Sequence, residues 1–223
     1  QTARLVASIA GVSGGRFLFG VGNGWNRDEM ENHGTVFETR HKLARERIEA
    51  MKAIWTQSKP EYHGEFVNFG PMMTWPKPVQ KPHPPIYFSG LKDPKRSAAR
   101  IAKYNLEGWI GIQDSPDDIR TWRAAIQREL EELDTNRTVD DIVISSMIWT
   151  VITDTEVDQS PNGKLTNLLV GTEAQITDRL KAYKEAGLDM PMIWPPFQDV
   201  PTEKTMDDLK RLKNDILPKV EAG

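Results

Sequence analysis

The sequence predicts an α/β fold in which a parallel sheet is covered by helices. Two observations support this prediction. Short apolar runs of strand type alternate with amphipathic helices along the 223 residues, and fully apolar strands are typical of parallel sheets buried on both faces. Capping signals also separate the helices from the strands. The five predicted strands are Arg16–Gly22, Ile86–Ser89, Trp109–Ile112, Ile142–Ile152 and Met192–Trp194.

The first part of the chain contains two helices and a proline-rich segment. Gln1–Gly11 indicates the tail of a helix, and Thr35–Glu38 has the pattern of a capping box for a helix that ends at about Gln57. A small hairpin is predicted at Tyr62–Phe69. Because proline fixes φ and lacks an N–H donor, we expect Trp75–Pro85 to be a stiff, extended, proline-rich connector into the second strand.

Four further helices are predicted by their caps and by the spacing of their apolar residues. Asp93 caps the first of them, Ser115 begins the second, and Thr172 begins the third with a capping box. The last spans Thr202–Leu217, and we expect it to stop at Pro218 because proline cannot continue a helix. Each predicted strand is therefore followed by a helix.

The composition narrows the class of protein. Hydrophobic residues make up 38% of the chain and charged residues 27%, and no apolar run approaches the ~18–20 residues of a membrane span. The formal net charge of −3 argues against nucleic acid as a partner. The chain has no cysteine, which excludes disulfides and thiolate metal sites. We expect a cytoplasmic protein with no metal and no membrane partner.

The number of strands leaves two geometries open. Five strands fit either an open doubly wound sheet or part of a (βα)8 barrel, which typically needs about 250 residues. The periodicity of the sequence does not choose between these two.

Several segments resemble the bacterial-luciferase-like monooxygenase family. Ser13–Trp25, Arg40–Trp55 and Trp75–Ile86 carry the resemblance, and Gly108–Trp109 and Gly171–Gly187 continue it in the same order. The resemblance spans essentially the whole chain, and the proline-rich connector is its most specific piece. It implies a single barrel domain over residues 1–223, a (βα)8 TIM barrel of luciferase-like type that binds FMN or the 5-deazaflavin coenzyme F-420.

The same resemblance makes Arg16–Gly22 the fourth strand of the barrel. We therefore expect about three βα units, or roughly 80–100 residues, to be absent at the N-terminus of this chain. The alternative is a complete protein with only five strands. Such a sheet would have two unpaired edge strands, and for this reason we prefer the expectation that three βα units are absent.

Candidate cofactor-binding residues lie after the first two predicted strands. Glycine lets the backbone approach a flat ring and an amide can pair with the ring edge, which points to Asn23 and Gly24. After the second strand, free N–H groups at a helix start suit a phosphate. The candidates at this turn are Ser89, Gly90, Leu91 and Arg96.

Aromatic side chains suit a wall of the substrate pocket, and we select Trp25 and Trp194, with Asn26 beside the first of them. Trp149 and Phe197 also lie near strand ends, where core packing is the competing explanation. The long loop Asp154–Val170 is expected to form a lid. No catalytic side chain can be assigned, and the four histidines do not complete a metal site.

The resemblance implies an oxidoreductase that transfers hydride between coenzyme F-420 and a small organic substrate. An FMN-dependent luciferase-like monooxygenase and a non-catalytic flavin-binding protein with a degenerate barrel are the alternatives. A third alternative is an unrelated barrel enzyme that acts on a phosphorylated substrate. Relatives in this family are commonly dimers, so the resemblance also implies a homodimer.

Overall fold

The computed structural model describes residues 1–89, 93–158, 167–195 and 200–222. Two compact units are distinguished by their internal contacts. Unit 1 comprises Gln1–Ser89 and Tyr104–Glu107, and unit 2 comprises Gly90–Lys103 and Gly108–Gly223. The single barrel domain expected over residues 1–223 stays a prediction, and each unit is described by itself.

Unit 1 pairs two parallel strands and adds a small antiparallel hairpin. The first and fourth strands align Phe19 with Ile86 and Val21 with Phe88. The hairpin pairs Tyr62 with Phe69, as predicted. The elements are α1 (Thr2–Val12), β1 (Phe19–Val21), α2 (Arg27–Asn32), α3 (Arg40–Thr56), β2 (Tyr62–His63), β3 (Asn68–Phe69) and β4 (Ile86–Ser89).

The proline-rich connector forms hydrogen bonds with two parts of unit 1, the end of α3 and the segment before β1. The ammonium group of Lys77 donates to the carbonyl oxygen of Gln57, at 2.8 Å, where α3 ends. The amide of Gln80 donates to the carbonyl oxygens of Gly15, at 2.9 Å, and Phe17, at 3.0 Å. The connector thus satisfies carbonyl groups that the helix end and the approach to β1 leave without partners.

A buried carboxylate on α3 holds the hairpin. Glu46 accepts hydrogen bonds from the backbone N–H groups of Glu65, Phe66 and Val67, at 3.1, 2.7 and 3.0 Å. Burial alone would raise the pKa of Glu46, but the three N–H donors outweigh it and hold the pKa below its usual value. A side chain at Gly64 would collide with this carboxylate, since a Cβ there would lie 2.4 Å from Glu46 Oε2.

In its described residues, unit 2 has four strands that pair in parallel, with helices between them. The central strand pairs with its three neighbours, for example at Trp109↔Ile144, Trp149↔Trp194 and Val151↔Val170. The elements are α4 (Pro94–Lys103), β5 (Gly108–Ile112), α5 (Pro116–Glu132), β6 (Val143–Ile152), β7 (Leu169–Gly171), α6 (Glu173–Glu185), β8 (Met190–Trp194), α7 (Thr202–Arg211) and α8 (Leu217–Glu221).

Most sequence-based expectations for these elements are confirmed. All five predicted strands are present and every pairing between them and their described neighbours is parallel. Ser115 and Thr172 form complete capping boxes, and Asp93 accepts from the backbone N–H of Arg96 at 3.2 Å. The short strand β7 was not predicted, because its first two residues, Leu169 and Val170, belong to the segment Asp154–Val170 that was predicted as a loop.

The predicted capping box at Thr35–Glu38 is wrong. An unpredicted six-residue helix, α2, ends just before it. The N–H of Thr35 donates to the carbonyl of Met30, at 2.9 Å. A 3-10 turn then leads into α3, whose N-cap residue Thr39 makes no side-chain capping bond.

The predicted helix stop at Pro218 is also wrong. A π-helical segment at Leu212–Ile216 precedes α8, and the helix continues through the proline to Glu221. Proline clashes with the carbonyl four residues before it in a regular helix. The wider i→i+5 bonding of a π segment relieves that clash, and Pro218 then occupies the first turn of a new helix, where its missing N–H costs nothing.

The loop after β5 is tied to three elements by Asp114. Its carboxylate accepts from the indole N–H of Trp122 at 3.2 Å and from the hydroxyl of Ser146 at 2.7 Å. Its backbone carbonyl accepts from the hydroxyl of Tyr183 at 2.6 Å. Burial raises the pKa of Tyr183 to about 12, against the opposing effect of the Arg179 guanidinium. The loop is therefore fixed against α5, β6 and α6.

Replacing Gly111 with alanine should lower the free energy of unfolding by about 2–3 kcal/mol, since overpacking a filled site forces neighbours to move. A Cβ at Gly111 would lie 2.0 Å from Asp114 Oδ2 and 2.2 Å from the ring of Trp109. Urea denaturation measures the change. Gly11→Ala is the matched control, because it lies in α1 with nothing within 4 Å and should stabilise by up to about 1 kcal/mol. Equal stability of wild type and Gly111→Ala would contradict this packing.

Tyr183→Phe should flatten the loss of stability at alkaline pH. The folded protein retains the Tyr183 proton up to a pKa of about 12, whereas an unfolded chain releases it near ~10. The stabilisation is therefore complete below pH ~10 and is lost between ~10 and ~12, with a total of about 2–3 kcal/mol. Denaturation series across this pH window measure the slope. An unaltered slope in the variant would show that another group causes the loss.

Candidate functional site

The carboxyl ends of β1 and β4 lie side by side in unit 1. Their parallel register aligns Val21 with Phe88, and a Cβ on Gly22 would lie 4.0 Å from the Cβ of Ser89. Asn23 follows directly after this point. The structure thus brings together the ends of the two strands after which the sequence predicted cofactor contacts, and ligands of parallel α/β folds bind at such ends.

Asn23 carries an unsatisfied acceptor at this edge. Its side-chain oxygen Oδ1 is buried and has no hydrogen-bond partner among the described residues. A buried polar atom without a partner costs about 1–3 kcal/mol, and a bound ligand or an ordered water is the usual explanation for one. A ligand with an N–H or O–H donor would satisfy this atom, and the polar edge of a flavin or deazaflavin ring is a ligand of that kind. The residues at this edge therefore fit such a cofactor.

Two of the three residues after Asn23, namely Gly24 and Asn26, have structural tasks of their own. Gly24 has a φ of +78°, and a Cβ there would lie 2.6 Å from the sulfur of Met30, so the turn itself requires glycine. The side chain of Asn26 accepts from the backbone N–H of Glu29 at 3.3 Å and caps α2. Trp25 is 86% exposed. Their predicted contacts with cofactor or substrate stay predictions.

The predicted phosphate turn is described only in part, because Gly90 and Leu91 lie outside the described residues. Beyond them, Asp93 caps α4, and the Nε of Arg96 lies 3.4 Å from its carboxylate in an exposed ion pair. The charge of Arg96 is thus already paired with Asp93. The carboxylate of Asp93 partly offsets the attraction of this guanidinium for an anion.

Trp194 forms an aromatic corner with Trp149 in unit 2. The two residues are aligned in the β6–β8 register, and their rings meet edge to face, with centroids 6.0 Å apart and an angle of 82°. The sequence predicts Trp194 as a pocket residue and leaves core packing as the competing explanation for Trp149. The 44% exposure of Trp149 shows that it is not a core residue. The other aromatic candidate, Phe197, lies outside the described residues.

A small cavity that the sequence did not predict lies where β5 ends. It has a volume of about 280 Å³ and is lined in part by Gln113, Asp114, Asp118 and Trp122. Gln113 adopts a φ of +55°, a conformation that few residues other than glycine take. Sequence spacing carries no signal for such a turn, because the bonds that hold it join Gln113 to Met147 and Asp114 to residues distant in the chain.

Two kinds of feature are missing from the part of the chain that the structure describes. No helix there combines the length and the apolar character needed to cross a membrane. No group of three or more histidine, cysteine or acidic side chains there is placed to hold a metal ion.

Comparisons of sequence identify relatives. The model of a family described as luciferase-like monooxygenase matches residues 1–160. An uncharacterised protein of Mycobacterium tuberculosis is 44% identical over 108 residues, which cover 48% of this chain and 37% of that protein. An FMNH2-dependent dimethylsulfone monooxygenase of Pseudomonas putida is 29% identical over 231 residues, covering 84% of this chain and 63% of that protein. The chain thus spans less than two thirds of the length of these curated relatives.

Comparison of structures identifies the fold. The solved structure of an F420-dependent secondary alcohol dehydrogenase, in complex with an F420–acetone adduct, matches with a TM-score of 0.76 and 17% identity. The match covers 98% of this chain and 74% of that one. It confirms the predicted α/β fold of luciferase-like type. With the family model matching well over half of the residues, the chain belongs to the luciferase-like monooxygenase family.

Proposed function

We propose that the protein is a luciferase-like oxidoreductase that holds a flavin-type cofactor at the edge where β1 and β4 end. The observation that carries the proposal is the buried, unpartnered Oδ1 of Asn23 at this edge, in a chain of this family. Coenzyme F-420 is the proposed cofactor, because Gly20–Asn26 and Trp75–Ile86 resemble the deazaflavin branch of the family. The proposed reaction is hydride transfer to or from a small organic substrate.

The chain's own groups would position the cofactor. Asn23 would accept a hydrogen bond from the ring edge, while Gly22 and Gly24, which carry no side chain, leave room for a planar group. Ser89, with Gly90 and Leu91, is proposed to bind the phosphate through hydroxyl and backbone N–H donors. The bound cofactor supplies the two-electron chemistry, so the protein needs no nucleophile of its own.

The remaining predicted contacts, with phosphate and with substrate, are also part of the proposal. Arg96 is proposed to contribute to phosphate binding through guanidinium N–H groups other than the Nε that lies near Asp93. Trp194, Trp25 and Asn26 stay proposed substrate-pocket residues. A cytoplasmic location and a homodimer are likewise predictions.

An FMN-dependent monooxygenase is the second candidate. One specific observation favours it, namely that the relative from Pseudomonas putida, which aligns over 84% of this chain, is an FMNH2-dependent dimethylsulfone monooxygenase. Both candidates use the same edge of unit 1, so cofactor choice separates them.

The purified full-length protein should bind coenzyme F-420 at least about tenfold more tightly than FMN, a difference of about 1.4 kcal/mol. Spectroscopic titration with each cofactor measures the affinities, and turnover with a panel of small alcohols and ketones tests hydride transfer. Tight FMN binding with no binding of F-420 would refute the first proposal and favour the monooxygenase. Cofactor binding without turnover on any substrate would support a non-catalytic binding protein.

Asn23→Leu should weaken cofactor binding by about tenfold, since one hydrogen bond contributes about 0.5–1.5 kcal/mol. Without cofactor, the variant should unfold at the same temperature as the wild type or a higher one, because an unpaired buried polar atom is removed. Titration and thermal unfolding measure the two effects. Asn32→Ala is the matched control, since Asn32 is an exposed residue of α2. Lower stability together with unchanged affinity would contradict the assignment of Asn23.

A further inference from the structure

Gly22 is a glycine that the fold of unit 1 does not require. Its φ lies outside the left-handed region, in contrast to Gly24, which has a φ of +78°. A Cβ built on Gly22 would have its nearest neighbour at 4.0 Å, the Cβ of Ser89, which is an ordinary van der Waals distance. At Gly64, by comparison, a Cβ would collide with Glu46. Neither backbone conformation nor packing among the described residues therefore explains glycine at position 22.

Glycine at the end of a strand weakens the strand. Gly22 follows β1 directly, and glycine loses more conformational freedom on folding than any other residue. Since neighbouring strands lie about 4.7–4.9 Å apart, strand pairing on either side leaves room for a side chain. A strand glycine without a structural reason often marks a place where a ligand approaches the backbone closely.

Gly22 belongs to a bare strip on one face of β1. Phe19 points towards α3, where its ring meets that of Trp55 with centroids 6.0 Å apart. Successive residues of a strand point to opposite faces, so Gly20 and Gly22 lie on the other face and present only backbone atoms there. In the register with β4, Gly20 is aligned with Tyr87. The side chains of β4 therefore border the strip, while β1 itself contributes no side chain to this face.

The bare strip leads directly to the buried acceptor of Asn23. This residue follows Gly22 in the chain, and its Oδ1 has no partner among the described residues. A planar molecule on the strip can bring its polar edge to this oxygen, because no side chain of β1 holds it away. We propose that the cofactor ring lies against the backbone of Gly22 and that a side chain at this position would keep the ring from Asn23. The inference rests on the proposed function, and it separates Gly22 from Gly24, which the turn itself requires.

A methyl group on Gly22 tests the proposal. Because the methyl group has space, cofactor-free Gly22→Ala should unfold at the same temperature as the wild type or at a higher one. Its affinity for the cofactor should fall by about tenfold or more, since the ring no longer reaches the backbone. Spectroscopic titration of the full-length protein with F-420 and with FMN measures the affinity. Gly70→Ala is the matched control, because Gly70 also belongs to unit 1 and nothing lies within 4 Å of a Cβ there.

Ligands without phosphate separate the ring from the rest of the cofactor. Riboflavin and the corresponding phosphate-free deazaflavin keep the rings of FMN and F-420, so Gly22→Ala should weaken the binding of each by the same factor as that of its parent cofactor. A loss confined to the phosphorylated cofactors would overturn the proposal, as would lower stability of the cofactor-free variant. Unchanged affinity in Gly22→Ala would overturn it too but would leave the proposed function intact. If the wild type binds neither F-420 nor FMN, the proposed function is refuted and this inference with it.

Discussion

The arrangement of unit 2 depends on the backbone pairing of its central strand, β6. Residues 143–147 pair with β5, and residues 145–149 pair with β8. Because residues 145–147 pair with both, the two neighbours must lie on opposite edges of β6. This register places Ile144 and Ile148 against helices and Trp149 on the other face. A slip of one residue would exchange the two faces, so the same pairing determines both the core and the aromatic corner.

Buried polar groups in unit 1 separate structural from functional roles. Glu46 is deeply buried, yet three backbone N–H groups saturate its carboxylate, and its task is to hold the hairpin. Asn23 has a buried oxygen that nothing in the described structure satisfies. Gln80 also has a buried side-chain oxygen without a partner, but its amide binds the chain before β1. Asn23 lies where β1 ends, on the side of a parallel sheet where ligands bind, and this position makes its oxygen the stronger indicator of a ligand.

The residues of the family motifs make mostly structural contacts in this protein. In the proline-rich connector, Lys77 and Gln80 bind carbonyl groups at the end of α3 and before β1. Gly24 is required by a positive φ and by the closeness of Met30. These motifs hold in place the edge where Asn23 and Ser89 lie. Their presence therefore identifies the family, but the choice between F-420 and FMN rests on groups that contact the ligand.

By itself, the sequence determined the alternation of the five predicted strands with helices, the parallel character of the sheet, the capping boxes at Ser115 and Thr172, and the family. These features depend on local periodicity and on side chains that bond to their own backbone neighbours. Only the tertiary structure revealed the β7 pairing, the helix through Pro218, the missing partner of Asn23 and the pairing of Trp149 with Trp194. Each of these depends on contacts between distant segments or on a backbone adjustment, and neither leaves a signal in residue spacing.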